Sequence, residues 1–433
     1  MAEDRKPARP ARLISMGSIT DSLSYLTADL AGIGGTIKCR PEDFFVEELP
    51  LYEAVGEGEH LVLFIQKRRQ TTSDVIRRLA KIFHLPRRDV GYAGLKDKHA
   101  VTRQHFSVHV PDPTDDEKCL SRIQFTPFDL LWARRHRNKL RRGHLRGNRF
   151  VIYIRDVDPS SVLVARRVVD QLVRTGVPNY VGHQRFGYRQ SNHIWGRHLL
   201  LGEWTRMLDH MLGGPDDTDG PMTRAGREAY DRGDYRSALD AWPRQLRHDR
   251  QALDALRQGW SAQRSVLAID RQQLEFLISA LQSSLFNDVL DRRVRDGLFT
   301  RLVPGDLAWK ADNRSVFEVD APTAECENAP DGRMASLEVS PSGPMWGRDM
   351  TRAKEDPGRW ETEAVAARDM SPEDFMHVEH VDVLGSRRPL RVALSEPEVS
   401  GGADDHGPYL RLSFDLPRGS FATVALREIM KNF

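Results

Sequence analysis

Two periodicities divide the chain. Short runs that alternate apolar and polar positions, or stay apolar for four to eight residues, predict strands. They fall at Thr36–Arg40, Phe44–Glu48, His60–Gln66, Val90–Ala93, His105–Val110, Leu130–Ala133, Phe150–Ile154, Pro389–Ser395 and Tyr409–Leu416. In the last of these, Leu410, Leu412, Phe414 and Leu416 alternate with Arg411, Ser413 and Asp415, the pattern of a half-buried strand. Helical spacing appears at Val75, Ile76, Leu79, Ile82 and Phe83, with Thr72 or Ser73 as N-cap and Asp74 at the positive end of the dipole. A helix over Val162–Thr175 stops at Gly176 and Pro178. Leu274–Val294 is the longest helical pattern, with Phe276, Leu277, Leu281, Leu285 and Val289 as its core stripe. Val424–Met430 predicts a final helix. Residues 203–262 are charged and helical in character, interrupted by an exposed loop at 213–221. Residues 111–118 read as an acidic loop, and 303–367 as short strands between Gly-Pro turns. Residues 177–187, rich in Gly, Pro and aromatics, read equally as an ordered loop at a domain boundary or as a packing corner.

Length and composition narrow the class. A single core stops growing near ~250–300 residues, so 433 residues predict two domains. Hydrophobic residues at 39%, together with 32 glycines, suffice for a packed core. No run of ~18 apolar residues exists, so no transmembrane helix and no membrane partner is expected. The opening MAEDRKPARPARLISMGS lacks an apolar stretch and reads as a loose, mildly basic arm rather than a secretory signal. Cys39, Cys119 and Cys326 are odd in number and far apart, which builds neither a disulfide framework nor a metal pair and fits a cytoplasmic location. The net charge of +2 says little, but its distribution says more. Arg134–Arg149 carries eight Lys or Arg and no acid, a candidate for phosphate contact. A solvated cationic loop or a salt-bridge face is the other reading of that segment.

The chemistry-bearing stretch is Gly91–Val110. Gly94 breaks the strand before it, Leu95-Lys96-Asp97-Lys98-His99 makes a short polar turn, and a strand returns. Asp97 thus sits at a strand end among Lys96, Lys98, His99 and Arg103. Cations nearby keep a carboxylate ionised, and an ionised, positioned carboxylate can act as nucleophile or general base. The same residues also read as a solvated, charge-balanced turn. The sequence contains no P-loop, no GxGxxG after a strand, no HExxH and no zinc spacing.

Eight strings carry a resemblance. They are PEDFFVEE at 41–48, GEGEH at 56–60, AGLKDKHAVTRQ at 93–104, RGNRF at 146–150, GVPNYVGHQRFG at 176–187, SSLFN at 283–287, GD at 305–306 and GSFAT at 419–423. Together they resemble the TruD family of tRNA pseudouridine synthases. The resemblance implies an α+β fold: a pseudouridine-synthase catalytic domain of mixed, largely antiparallel sheet with helices, holding an inserted α/β TRUD domain. The implied bounds are a basic arm over 1–18, the catalytic domain over 19–175 and 393–433, and the insertion over 176–392. The activity implied is isomerisation of uridine to pseudouridine, at uridine 13 of tRNA, with other RNAs left open. No cofactor, no metal and no protein partner is implied. Asp97 stands where the family has its nucleophile or base. Phe44 matches an aromatic that walls the uridine pocket, although core packing of its strand is a rival role. Asn148 and Phe150 match the family's GNxF positions, and Asn148 can read a base edge. Phe421 would cover the pocket from the end of the chain. Lys38 matches a family lysine near the site and is one candidate partner of Asp97; Lys96 and Arg103 are the competing candidates, and the choice among the three stays open. A non-catalytic RNA-binding role on the same scaffold is one alternative, and an RNA-cleaving or deaminating enzyme a more distant one, with deamination disfavoured by the missing zinc ligands.

Overall fold

The computed structural model describes residues 22–376 and 380–432; the arm expected over 1–18 lies outside them. The chain first builds β1 (Phe44–Pro50), β2 (His60–Arg68), α1 (Thr72–Ile82), β3 (Gly91–Tyr92), β4 (Val101–His109), α2 (Asp115–Ile123), β5 (Asp129–His136), β6 (Leu145–Arg155), α3 (Val162–Thr175) and β7 (Val177–Pro178). A second series follows: α4 (Asn192–Leu200), α5 (Trp204–Leu212), α6 (Pro221–Asp231), α7 (Tyr235–Ala241), α8 (Arg247–Arg257), α9 (Ala262–Leu267), α10 (Arg271–Arg295), β8 (Leu307–Lys310), β9 (Val316–Glu318), α11 (Ala321–Glu327), β10 (Val339–Met345), α12 (Glu355–Ala366) and β11 (Ser386–Pro389). The chain then closes with β12 (Arg391–Val392), β13 (Ser395–Asp404), β14 (Gly407–Pro417) and α13 (Ala422–Met430). Two compact units result. One holds Tyr25–Asn179, Ala335–Leu337 and the chain from Arg391; the other holds Tyr180–Met334 and Glu338–Leu390, with residues 22–24.

The first unit is built on an eight-stranded sheet in the order β13-β14-β6-β1-β4-β2-β5, with β3 beside β4. β1 and β4 run parallel, while the other pairs are antiparallel. Alternation along β2 turns Leu61, Leu63 and Ile65 to one face, where they meet Phe106 and Val108 of β4 and the Val75–Leu79 stripe of α1. Leu63, Ile65, Val75, Leu79, Phe106 and Val108 are each 0% exposed, and burying such a side chain contributes roughly 1.5–3 kcal/mol. Thr71, one residue before the caps expected, starts α1: its hydroxyl accepts from Asp74 N at 3.1 Å, and Asp74 accepts from Thr71 N at 3.0 Å. α3 ends at Gly176, whose φ of +80° a side chain would resist.

The second unit surrounds the 25-residue α10. This helix is apolar on most of its circumference because α4, β10 and α12 all pack on it. Gly196 lets α4 lie directly against the Leu277 backbone, since any Cβ there would collide. An antiparallel sheet in the order β11-β10-β8-β9 completes the unit.

Several expectations need correction. Residues 36–40 form no strand; Thr36 makes one isolated bridge to Arg155, and Lys38 turns the backbone left-handed at φ 59°. The acidic stretch 111–118 runs into α2, because Asp115, Asp116 and Glu117 occupy its first turn, where the helix dipole favours them. Residues 303–367 hold α11 and α12 besides their strands. Residues 389–395 are not one strand: Pro389 ends β11, Arg391–Val392 form β12 and Ser395 begins the ten-residue β13. The 213–221 segment is not simply exposed: Asp219 is buried and pairs at 3.1 Å with the fully buried Arg227. Phe276 lies only partly buried beside the α10 core, with the Arg185 guanidinium 5.0 Å from its ring centroid.

Candidate active site

The parallel pairing of β1 and β4 creates the site. With Phe45 opposite Val101, the segments that precede the two strands emerge at the same end of the sheet. Lys38 lies just before β1 and Asp97 just before β4, and Lys38 Nζ reaches Asp97 Oδ2 at 2.5 Å. The other Asp97 oxygen accepts from His99 N at 2.8 Å. Beneath the loop, the buried Lys67 donates to the Asp97 carbonyl at 3.2 Å and to the Gln70 carbonyl at 2.7 Å. Thr72 Oγ1 accepts from Lys96 N at 3.0 Å, and Gln104 Nε2 donates to the Gly94 carbonyl. The loop is thereby tied to the first turn of α1 and to β4.

Burial pushes the Asp97 carboxyl up, but the hydrogen bonds from Lys38 and His99 N outweigh it and hold the group below the usual carboxylate range. Asp97 is therefore ionised at neutral pH. It keeps 29% of its side-chain surface exposed, so an incoming group can reach it. For Lys67 the balance goes the other way: burial lowers its ammonium to about 8.

Phe44 faces the same side. Lys38 Nζ stands 4.6 Å from its ring centroid, and its edge meets Phe150 at 6.4 Å. Phe150 in turn lies 5.7 Å from Phe414 on β14. Phe44 is 5% and Phe150 7% exposed, so both rings are anchored in the core as well as flanking the site. Asn148 sits opposite Glu48 in the β1–β6 register, and its Oδ1 accepts from Lys96 Nζ at 2.7 Å. Lys96 is thus engaged by Asn148 and by Glu48, at 2.9 Å, and Arg103 by Glu47, at 3.0 Å. Neither competes with Lys38 for Asp97. Phe421 is the half-buried N-cap residue of α13, and no ring contact among the described residues joins it to Phe44 or Phe150.

Sequence reasoning missed Lys67, Glu48 and Phe414. A signal existed for Lys67: it continues the alternation Leu61, Leu63, Ile65 and so places an ammonium on a core-facing position. The Arg134–Arg149 segment resolves into the end of β5, a loop and the start of β6. Arg135, Arg137 and Arg149 pair with Asp116, Glu57 and Asp415. Arg134, Arg141 and Arg146 are exposed and make no ion pair among the described residues.

The family model described as tRNA pseudouridine synthase D (TruD) matches residues 22–429. The chain belongs to the TruD family. Curated relatives extend over nearly all of it: a tRNA pseudouridine synthase D of Syntrophotalea carbinolica is 40% identical over 94% of this chain and 99% of the relative. One from Thermus thermophilus is 36% identical over 94% of this chain and 92% of the relative. A crystal structure from Methanosarcina mazei that carries the TruD name superposes with a TM-score of 0.79 at 26% identity, covering 95% of this chain and 97% of that one. The mixed, largely antiparallel sheet with its helices is thus the TruD architecture. Among the described residues, no helix is long and apolar enough to cross a membrane.

Proposed function

We propose that the protein isomerises uridine to pseudouridine in tRNA, at position 13, with Asp97 as the nucleophile or base. The single observation that carries this reading is the 2.5 Å pairing of Lys38 with an ionised, partly open Asp97 beside the Phe44 ring. A uridine within folded RNA hides its glycosidic bond, so the nucleotide must first leave its stack. Phe44 supplies a face for the extruded base, flanked by Phe150, with Phe421 closing from the chain end. Asn148 hydrogen-bonds the base edge. The bond between C1′ and N1 breaks, the uracil turns, C5 bonds to C1′, and the C5 proton leaves as N1 regains one. Atoms and electrons balance within the substrate, so no cofactor and no metal enters. Both routes open to Asp97, bonding to C1′ or taking a sugar proton, start from its ionised form. Lys38 holds that form and aims it.

The eight-stranded unit serves as the catalytic domain in this reading, and the 176–392 insertion as a family-specific domain completing RNA recognition. tRNA in the cytoplasm is the partner. The test is direct: incubate a tRNA transcript with the protein and map pseudouridine by carbodiimide adduct and primer extension. A stop at position 13 that depends on the protein is expected. A tRNA left unmodified at every uridine overturns the reading.

A further inference from the structure

We infer that the buried Glu48–Lys96 pair is a positioning device that turns Asn148 into a donor toward the substrate base and thereby selects uracil over cytosine. The inference rests on the function proposed above, in which Asn148 meets the base, and adds which end of its amide does so. Lys96 is 5% and Glu48 1% exposed at the side chain, with Lys96 Nζ 2.9 Å from Glu48 Oε2 and 2.7 Å from Asn148 Oδ1. An ammonium has three donors and no acceptor. Turning the Asn148 amide over would set its NH₂ against that ammonium, donor on donor. Its oxygen is therefore committed to Lys96, and Nδ2 is the end that remains. Among the described residues Nδ2 makes no hydrogen bond.

The pair is itself held. Glu48 Oε1 accepts from His105 N at 3.1 Å and lies 3.1 Å from His105 Nδ1. Burial pushes the Glu48 carboxyl up, but His105 and Lys96 outweigh it and keep it below the usual range. The Glu48 carboxylate holds the Lys96 ammonium in place, and that ammonium fixes the amide. The strands reinforce this, because Glu48 and Asn148 are register partners on β1 and β6, and Leu416 of β14 backs Asn148 from the other side.

Uracil and cytosine differ at position 4, where uracil carries a carbonyl acceptor and cytosine an amino donor. A donor-only Asn148 satisfies the first and opposes the second. The experiment uses tRNA with uridine or cytidine at the target position, bound to protein carrying Asp97→Asn so that no turnover occurs. With Lys96 intact, the uridine tRNA should bind at least about tenfold more tightly. Lys96→Met alone strands a buried carboxylate, so the decisive protein is the double variant K96M/E48Q, its fold checked by thermal melting. There the ratio should fall toward one, while Lys96→Arg should keep it. An active enzyme whose folded double variant retains the full ratio overturns this inference alone. Should the double variant not fold, Lys96→Gln, whose amide offers a donor or an acceptor, must lower the ratio, and an unchanged ratio overturns the inference. Wild-type protein that forms no pseudouridine overturns the inference and the function together.

Discussion

Lys38 adopts a φ of 59°, a backbone setting that costs a non-glycine residue about 1 kcal/mol, in order to bring its ammonium to Asp97 and over Phe44. The loss of that ammonium should be visible in a pH profile. In Lys38→Met, burial of Asp97 is opposed only by His99 N and weaker charges, so the Asp97 pKa rises. The acid limb of kcat/KM should then move to higher pH, and Lys38→Arg should largely restore it; a limb that does not move would contradict the pairing. Lys67 supplies a second check. Its pKa is lowered from 10.5 to about 8 by burial, so between those values the unfolded chain holds more protons than the folded one. Stability contributed at this position therefore rises as pH climbs from about 8 to 10.5. Urea denaturation should show the wild type gaining on Lys67→Met across that window, and a constant difference would refute the buried charge. At this scale Asp97 was legible, since a carboxylate among cations on a turn at a strand end is visible in GLKDK. The choice among Lys38, Lys96 and Arg103 was not, because each is near Asp97 only by sequence or by family pattern, and the register decides.

Elements bring those residues together. The strands at Phe44–Glu48, Phe150–Ile154 and Tyr409–Leu416 and the helix at Val162–Thr175 could be read from periodicity, because each buries one face. The parallel pairing of β1 with β4 could not, since it depends on β2, α1 and β3 crossing between them. The acidic residues before Ile123 misled because charge suits a helix start as well as a loop. Charge also locks the elements. On β6, Arg155 is 4% exposed and holds Asp43 at 2.7 Å, just before β1, and Asp404 at 2.6 Å, at the end of β13. Arg155→Ala leaves Asp43 buried with Arg40 alone, at 3.2 Å. A loss of about 3–5 kcal/mol is expected in urea denaturation. A loss below about 1 kcal/mol would show that the backbone pairing alone fixes these strands.

For the whole molecule, a net charge of +2 conceals a directed distribution. Four arginines of the basic segment have no carboxylate partner among the described residues; Arg142 donates to Tyr92 Oη, which leaves Arg134, Arg141 and Arg146, whereas Arg135, Arg137 and Arg149 are spent on ion pairs. The free three should carry phosphate contact. Replacing them together by Gln should weaken tRNA binding and reduce the salt slope of log K by about 2, at roughly 0.7–0.9 per lost contact. Turnover at saturating tRNA should change little, and an unaltered slope would place RNA contact elsewhere. The half-buried strand at Tyr409–Leu416 was legible in its alternation, whereas the helical packing around α10 left no comparable mark in the charged 203–262 stretch. Asp97→Asn tests the proposed chemistry itself. This variant should bind tRNA within a few-fold of wild type and form no pseudouridine; modification of the tRNA at the wild-type rate would show that Asp97 is not the catalytic group.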